Sequence, residues 1–161
     1  MREILFKAKR LDNGEWVEGH YAFDECALII QSLQYRLENE RPNFVEVYPV
    51  IPSTVCEYTN IDIRREAWPS SEVQKIFTGD YLGEWGEDED GNECVCILGI
   101  VTYWESEGRY VLADEDGLCN DWTLEAEAQP ENWPHLIHCG NIHDGEGGRR
   151  EEVAGGADEV Q

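Results

Sequence analysis

The ten residues HLIHCGNIHD, from His135 to Asp144, hold three of the chain's four histidines and one of its six cysteines. Imidazole nitrogens and thiolates are zinc donors, and zinc needs three or four of them converging at about 2.0–2.3 Å. The spacing speaks against convergence. Along a strand successive side chains alternate between faces, so His135 points away from His138, and His138 away from Cys139. A helix would align those three residues, but Gly140 argues against one. The segment is therefore expected to be a strand end with surface histidines and no metal, in which Asn141 and Asp144 supply turn hydrogen bonds.

A second stretch with the residue types of a cation site is GEWGEDEDGNE, residues 83–93, where Asp88, Asp90 and Asn92 alternate. A calcium loop of the EF-hand type requires glycine at its sixth place and glutamate at its twelfth. Counted from Asp88, Gly91 is fourth and the twelfth residue is Gly99, so the stretch is expected to be a solvated hairpin turn. ADEDGL, from Ala113, reads the same way. Catalytic patterns are missing too: there is no G-x-S-x-G, no phosphate-cradling glycine loop and no cysteine with a motif-placed histidine. No enzyme activity and no cofactor are expected.

The cysteines stand at 26, 56, 94, 96, 119 and 139, with no C-x-x-C among them. They are expected to be free thiols of a reducing compartment. Cys94 and Cys96, two apart in an apolar run, would share one face of a strand. Nothing apolar approaches the roughly 20 residues of a membrane-spanning helix, and MREILFKAKR lacks the apolar segment of a secretory signal. The expectation is a soluble protein that stays in the cytoplasm of the cell that makes it and binds no membrane.

Charge is the most uneven property. The chain has 12 basic and 35 acidic residues, a net of −23, and residues 83–144 hold 16 of the acids against Arg109 alone. Such a field repels nucleic acid and draws in basic protein surfaces at long range.

The elements that must carry these groups are strands. REILFKAKR and EWVEGHYAF alternate apolar and polar residues around Asn13-Gly14, a hairpin signal. NFVEVYPVIP alternates before Pro49 and Pro52, which points to an edge. ECVCILGIVTYW and RYVLAD form a hairpin through ESEG, DEDG turns into LCNDWTLEA, and HLIHCGNIH closes the series. Residues 24–40 are open between a strand, CALIIQSL, and a helix capped by Asp24. Residues 145–161, rich in glycine and charge, are expected to be a disordered acidic tail. The whole indicates an all-β barrel or sandwich in one domain over residues 1–144.

Five collinear segments carry a resemblance: MREILFKAKRLDNGEWVEGHY, VIPSTVCEYT, KIFTGDYL, GIVTYWESEGRYVL and GNIHD. Together they resemble the YopX-like family of phage and prophage proteins. The resemblance implies a mostly β fold containing an SH3-like barrel, and a phage or prophage origin. Three features depart from it: the stretch NIDIRREAWPSSEVQ after EYT, the histidines at 135 and 138, and the acidic density of residues 83–131.

Charge and resemblance together predict a non-enzymatic, phage-encoded protein that engages the basic surface of a host nucleic-acid-handling or defence protein, imitating DNA. The expected anions are Glu84, Glu87, Asp88, Glu89, Asp90, Glu93, Asp114, Glu115, Asp116 and Asp121. Trp85, Trp104 and Trp122 are either anchors of that contact or core. A pocket that sequesters a signalling nucleotide is the alternative, disfavoured by the negative field, and a homo-oligomeric assembly protein is a third.

Overall fold

A computed structural model describes residues 2–34, 43–64, 73–117, 119–124 and 136–145, with the side chains of 32–34, 43–44, 64 and 119–123 outside that description. The protein is mainly β. In chain order its strands are β1 (Phe6–Lys9), β2 (Trp16–Asp24), β3 (Cys26–Gln34), β4 (Asn43–Pro49), β5 (Cys56–Arg64), β6 (Val73–Phe77), β7 (Asp80–Glu87), β8 (Glu93–Trp104), β9 (Arg109–Ala113), β10 (Cys119–Thr123) and β11 (Leu136–Asn141). A short 3-10 turn, Pro52–Thr54, precedes β5. The expected acidic tail falls, from residue 146 onward, outside the described residues. The described residues divide into two compact units, one drawn from residues 4–57 and the other from residues 2–3 with 58–144.

In the first unit the strands are ordered β4-β3-β2-β1, and the first residues of β5 pair with β1 through Phe6↔Glu57 and Lys7↔Cys56. The Asn13-Gly14 signal does what its chemistry dictates. Gly14 takes φ +70°, and the Asn13 side-chain oxygen accepts the Glu15 N–H at 2.9 Å, so β1 and β2 meet antiparallel with Lys9 opposite Trp16. The segment after Asp24 is a strand: Ala27 and Ile29 are buried with period two and lie between β2 and β4, so two-sided pairing outweighs the helical spacing of its leucines. β4 stands at the end of the strand order, as Pro49 requires. Gly19 permits the close approach of β2 and β3, since a Cβ there would stand 2.4 Å from the Ile30 carbonyl oxygen.

Alternation then assigns the faces of this unit. Ala8, Val17, Ala27, Ile29 and Val50 form its core. On the opposite face of β1, Lys7 and Lys9 place their ammonium groups 4.8 and 5.2 Å from the centre of the Trp16 ring. Both lysines are buried although charged, with their stems lying on apolar surface and their heads on the ring's negative face.

In the second unit β5 pairs with β6, and a five-stranded antiparallel sheet runs β10-β9-β8-β7-β11. Its core gathers Ile63, Ile76, Leu82, Val101, Tyr110, Leu112, Leu124 and Leu136. Asn60, at φ +64°, interrupts β5, and its side-chain amide accepts the Glu3 N–H at 2.7 Å and donates to the Glu3 carbonyl at 3.0 Å. An amide side chain thus satisfies a backbone as a neighbouring strand would.

The register between β7 and β8 shifts at Leu98: Leu82 faces Gly99, but Gly83 faces Ile97. One inserted residue reverses which parity points at the core. Beyond Leu98 the odd residues Gly99 and Val101 are buried, while the odd residues Glu93, Val95 and Ile97 are exposed.

Candidate functional site

The inserted residue makes the outer part of β7–β8 a hairpin with two distinct faces. Pairing sets Trp85 opposite Val95 and Glu87 opposite Glu93, all on the face turned from the core. Trp85 is 63% exposed, and Ile97 next to it 54%. The other face carries Glu84 opposite Cys96 and Gly86 opposite Cys94. Glu84 is therefore separated by the sheet from the other acids of its stretch, although it is adjacent to them in sequence.

The hairpin turn is built by Asp88. One of its carboxylate oxygens accepts the N–H groups of Asp90 at 3.0 Å and Asn92 at 2.8 Å, and the other accepts the Asn92 side-chain amide at 3.2 Å. Gly91 takes φ +79° to close the loop. The Asn92 backbone and side-chain donors hold the Asp88 carboxyl below the usual carboxylate range. Asp88 thus works as a turn-former, and the anions presented to solvent at the tip are Glu87, Glu89, Asp90 and Glu93, all exposed.

The remaining acids are held elsewhere in the same sheet. Asp114, Glu115 and Asp116 form the turn after β9, where Asp114 accepts the Asp116 N–H at 3.0 Å and Gly117 takes φ +74°. Ala113 pairs with Ile100, seven residues along β8 from Glu93. At about 3.3 Å per residue that offset is roughly 23 Å along the strand. The turn at residues 105–108 follows Trp104, at the end of β8 remote from the hairpin tip. There Arg109, the basic residue of this acidic half, pairs with Glu107. The acids thus stand on separate turns stepped along β8. Trp104 is 37% exposed, and the side chains of Asp121 and Trp122 lie outside the described residues.

The C-terminal constellation is a polar network around β7 and β11. Asp80, completely buried, accepts the Phe77 N–H at 2.8 Å and the Asn141 side-chain amide at 2.8 Å. Asp144 accepts the Asn141 N–H at 2.7 Å, and Asn141 accepts the His143 N–H at 3.0 Å. These are the turn hydrogen bonds expected of Asn141 and Asp144. His138 Nε2 stands 3.3 Å from Asp80 without hydrogen-bond geometry, and Cys139 points to the other face and donates to the Ile137 carbonyl. His135 lies outside the described residues. Among the described residues no three His, Cys, Asp or Glu side chains gather as a metal site.

Sequence reasoning passed over Asp80. Its signal was present in TGDYL, where an Asp directly after a turn glycine can cap the preceding strand's N–H groups. It also passed over the cover of Trp16, for which the cue was Lys7 and Lys9 alternating with Ala8 opposite a tryptophan.

No family model, curated protein or solved structure matches this chain. Among the described residues no helix is long and apolar enough to cross a membrane.

Proposed function

We propose that this chain is a non-enzymatic acidic binding protein of the YopX-like kind, phage-encoded and acting in the bacterial cytoplasm. It engages the basic surface of a host nucleic-acid-handling or defence protein. The SH3-like barrel that the resemblance implies belongs to the same proposal. One observation carries the reading: Trp85 stands 63% exposed on the β7–β8 hairpin, beside Val95 and Ile97 and among the exposed carboxylates Glu87, Glu89, Asp90 and Glu93. Tryptophans dominate interface energetics when they enter a pocket, and a charged rim accelerates encounter. An apolar anchor ringed by acids suits a partner with a groove bordered by Lys and Arg, the surface that nucleic-acid-binding proteins present.

The stepped arrangement of the acids refines the mimicry. Glu87 and Glu93, directly opposite on neighbouring strands, have Cβ atoms about 5 Å apart. The Asp114–Asp116 turn adds a second cluster, so the anions assigned to the contact come in two groups instead of a regular series. Such a surface displaces DNA by occupying a basic groove at two points.

The test is capture of basic nucleic-acid-binding proteins from a bacterial lysate, at low and high salt, with duplex DNA as competitor. Wild-type protein captures them at low salt, loses them to DNA and to salt, and fails when Trp85→Ala is combined with Glu87→Gln and Glu93→Gln. Equal capture by that triple variant, or capture indifferent to salt, sinks the proposal.

A further inference from the structure

The face of the β7–β8 hairpin opposite Trp85 holds two thiols that the proposed function does not use. Cys94 and Cys96 lie two residues apart on one strand, and their sulfurs are 3.9 Å from each other. Cys96 is exposed and Cys94 half-buried, so the pair opens to solvent. Room for it comes from Gly86, opposite Cys94: a Cβ at that position would stand 2.8 Å from the Cys96 sulfur. Any larger residue there would force the Cys96 side chain away.

We propose that Cys94 and Cys96 form a two-thiolate chelate for a thiophilic cation of the zinc class, open to further ligands from solvent. The separation decides the class. Two thiolates at about 2.3 Å from a tetrahedral zinc ion stand about 3.8 Å apart, so the pair needs almost no movement to close on the metal. Soft sulfur donors exclude calcium and magnesium. With two protein donors the site has the open positions of an exchanging centre, whereas structural zinc is enclosed by four. Glu84 faces Cys96 from β7 and adds negative charge beside the chelate. Before metal arrives, the Cys96 thiol is pushed up by its hydrogen bond to Cys94, by charge on Cys94, by desolvation and by Glu84. A bound cation reverses the sign of that environment. The step balances without redox chemistry: two S–H bonds break, two sulfur–metal bonds form, and two protons pass to solvent.

The probe is Cd(II), titrated into the fully reduced full-length chain while the sulfur-to-cadmium charge-transfer band and proton release are followed. The expected result is saturation at one cation per chain with two protons released. The band is lost in Cys94→Ser and in Cys96→Ser, and retained in Cys26→Ser and in Trp85→Ala on the opposite face. A second readout needs no variant: Zn(II) protects Cys94 and Cys96, and no other cysteine, from alkylation in the native protein. A band that survives either serine substitution, a stoichiometry of one cation per two chains, or unprotected Cys94 and Cys96 overturns the assignment.

Discussion

Trp16 and Trp85 sit on strands of similar length in the two units, and their surroundings are opposite. In the first unit the ring of Trp16 is covered by Lys7 and Lys9, whose ammonium groups lie within 4.8 and 5.2 Å of its centre. In the second, Trp85 faces Val95 across the hairpin, shares its face with the Glu87–Glu93 pair one step towards the tip, and stays 63% exposed. The physics of the difference is the ring quadrupole. Cations are attracted to the negative face and bring apolar stems that cover it, whereas carboxylates gain nothing by folding over it. One unit completes its tryptophan internally, and the other leaves a ring that a cation from another molecule would complete.

The comparison can be broken first at the cores. Leu82→Ala empties a site with no solvent exposure in the second unit, and Ile29→Ala does the same in the first. Each is expected to cost about 2–5 kcal/mol in urea unfolding. If the two units unfold separately, each substitution moves one transition, and a single shared transition shows them to be one cooperative body. Next comes Trp16→Ala, expected to cost about 2 kcal/mol through lost cover and two cation–ring contacts. Trp85→Ala is expected to leave melting within about 0.5 kcal/mol of wild type while weakening partner binding. Equal losses of stability at the two tryptophans would erase the contrast.

Smaller effects sharpen it. Glu93→Lys replaces a like-charge pair opposite Glu87 by an opposite-charge one, and is expected to stabilise the hairpin by about 0.2–1 kcal/mol. The same change supplies a cation near Trp85, so partner capture falls while melting temperature rises. The smallest effect is one of pH. Asp88 has its carboxyl lowered in the folded protein by Asn92. Its contribution to the turn is therefore present above the ordinary carboxylate pKa and is lost as pH falls through the depressed folded value. Exchange protection at the Asp90 and Asn92 amides, taken relative to the intrinsic rate at each pH, should fall on acidification to below the usual carboxylate range, and Asp88→Ala should show that low protection already at neutral pH.

Much of the fold was legible because the cues are local. Asn13-Gly14 specified a hairpin through glycine's access to positive φ, Pro49 specified an edge by lacking an N–H, and GNIHD specified a turn through short polar side chains that reach the backbone. Residues 26–34 were less so, since Leu28, Ile29 and Leu33 satisfy helical spacing while Ala27 and Ile29 satisfy the period of a strand, and only the flanking β2 and β4 choose between them. The acidic site was legible as composition and not as geometry. Counting acids found the hairpin, but Asp88 is committed to its own turn, Glu84 belongs to the other face, and the Asp114–Asp116 turn is stepped along β8.

By itself the sequence determined the strands, most turns, the concentration of negative charge and the adjacency of Cys94 and Cys96, because each depends on residues a few positions apart. Only the tertiary structure decided which side of β8 is buried. The single extra residue at Leu98 reverses the alternation, sends Val95 and Ile97 outward beside Trp85, and places the two thiols on the opposite face. A period-two pattern carries no information about where it is interrupted, since that depends on the partner strand's register, and register is a property of the assembled sheet.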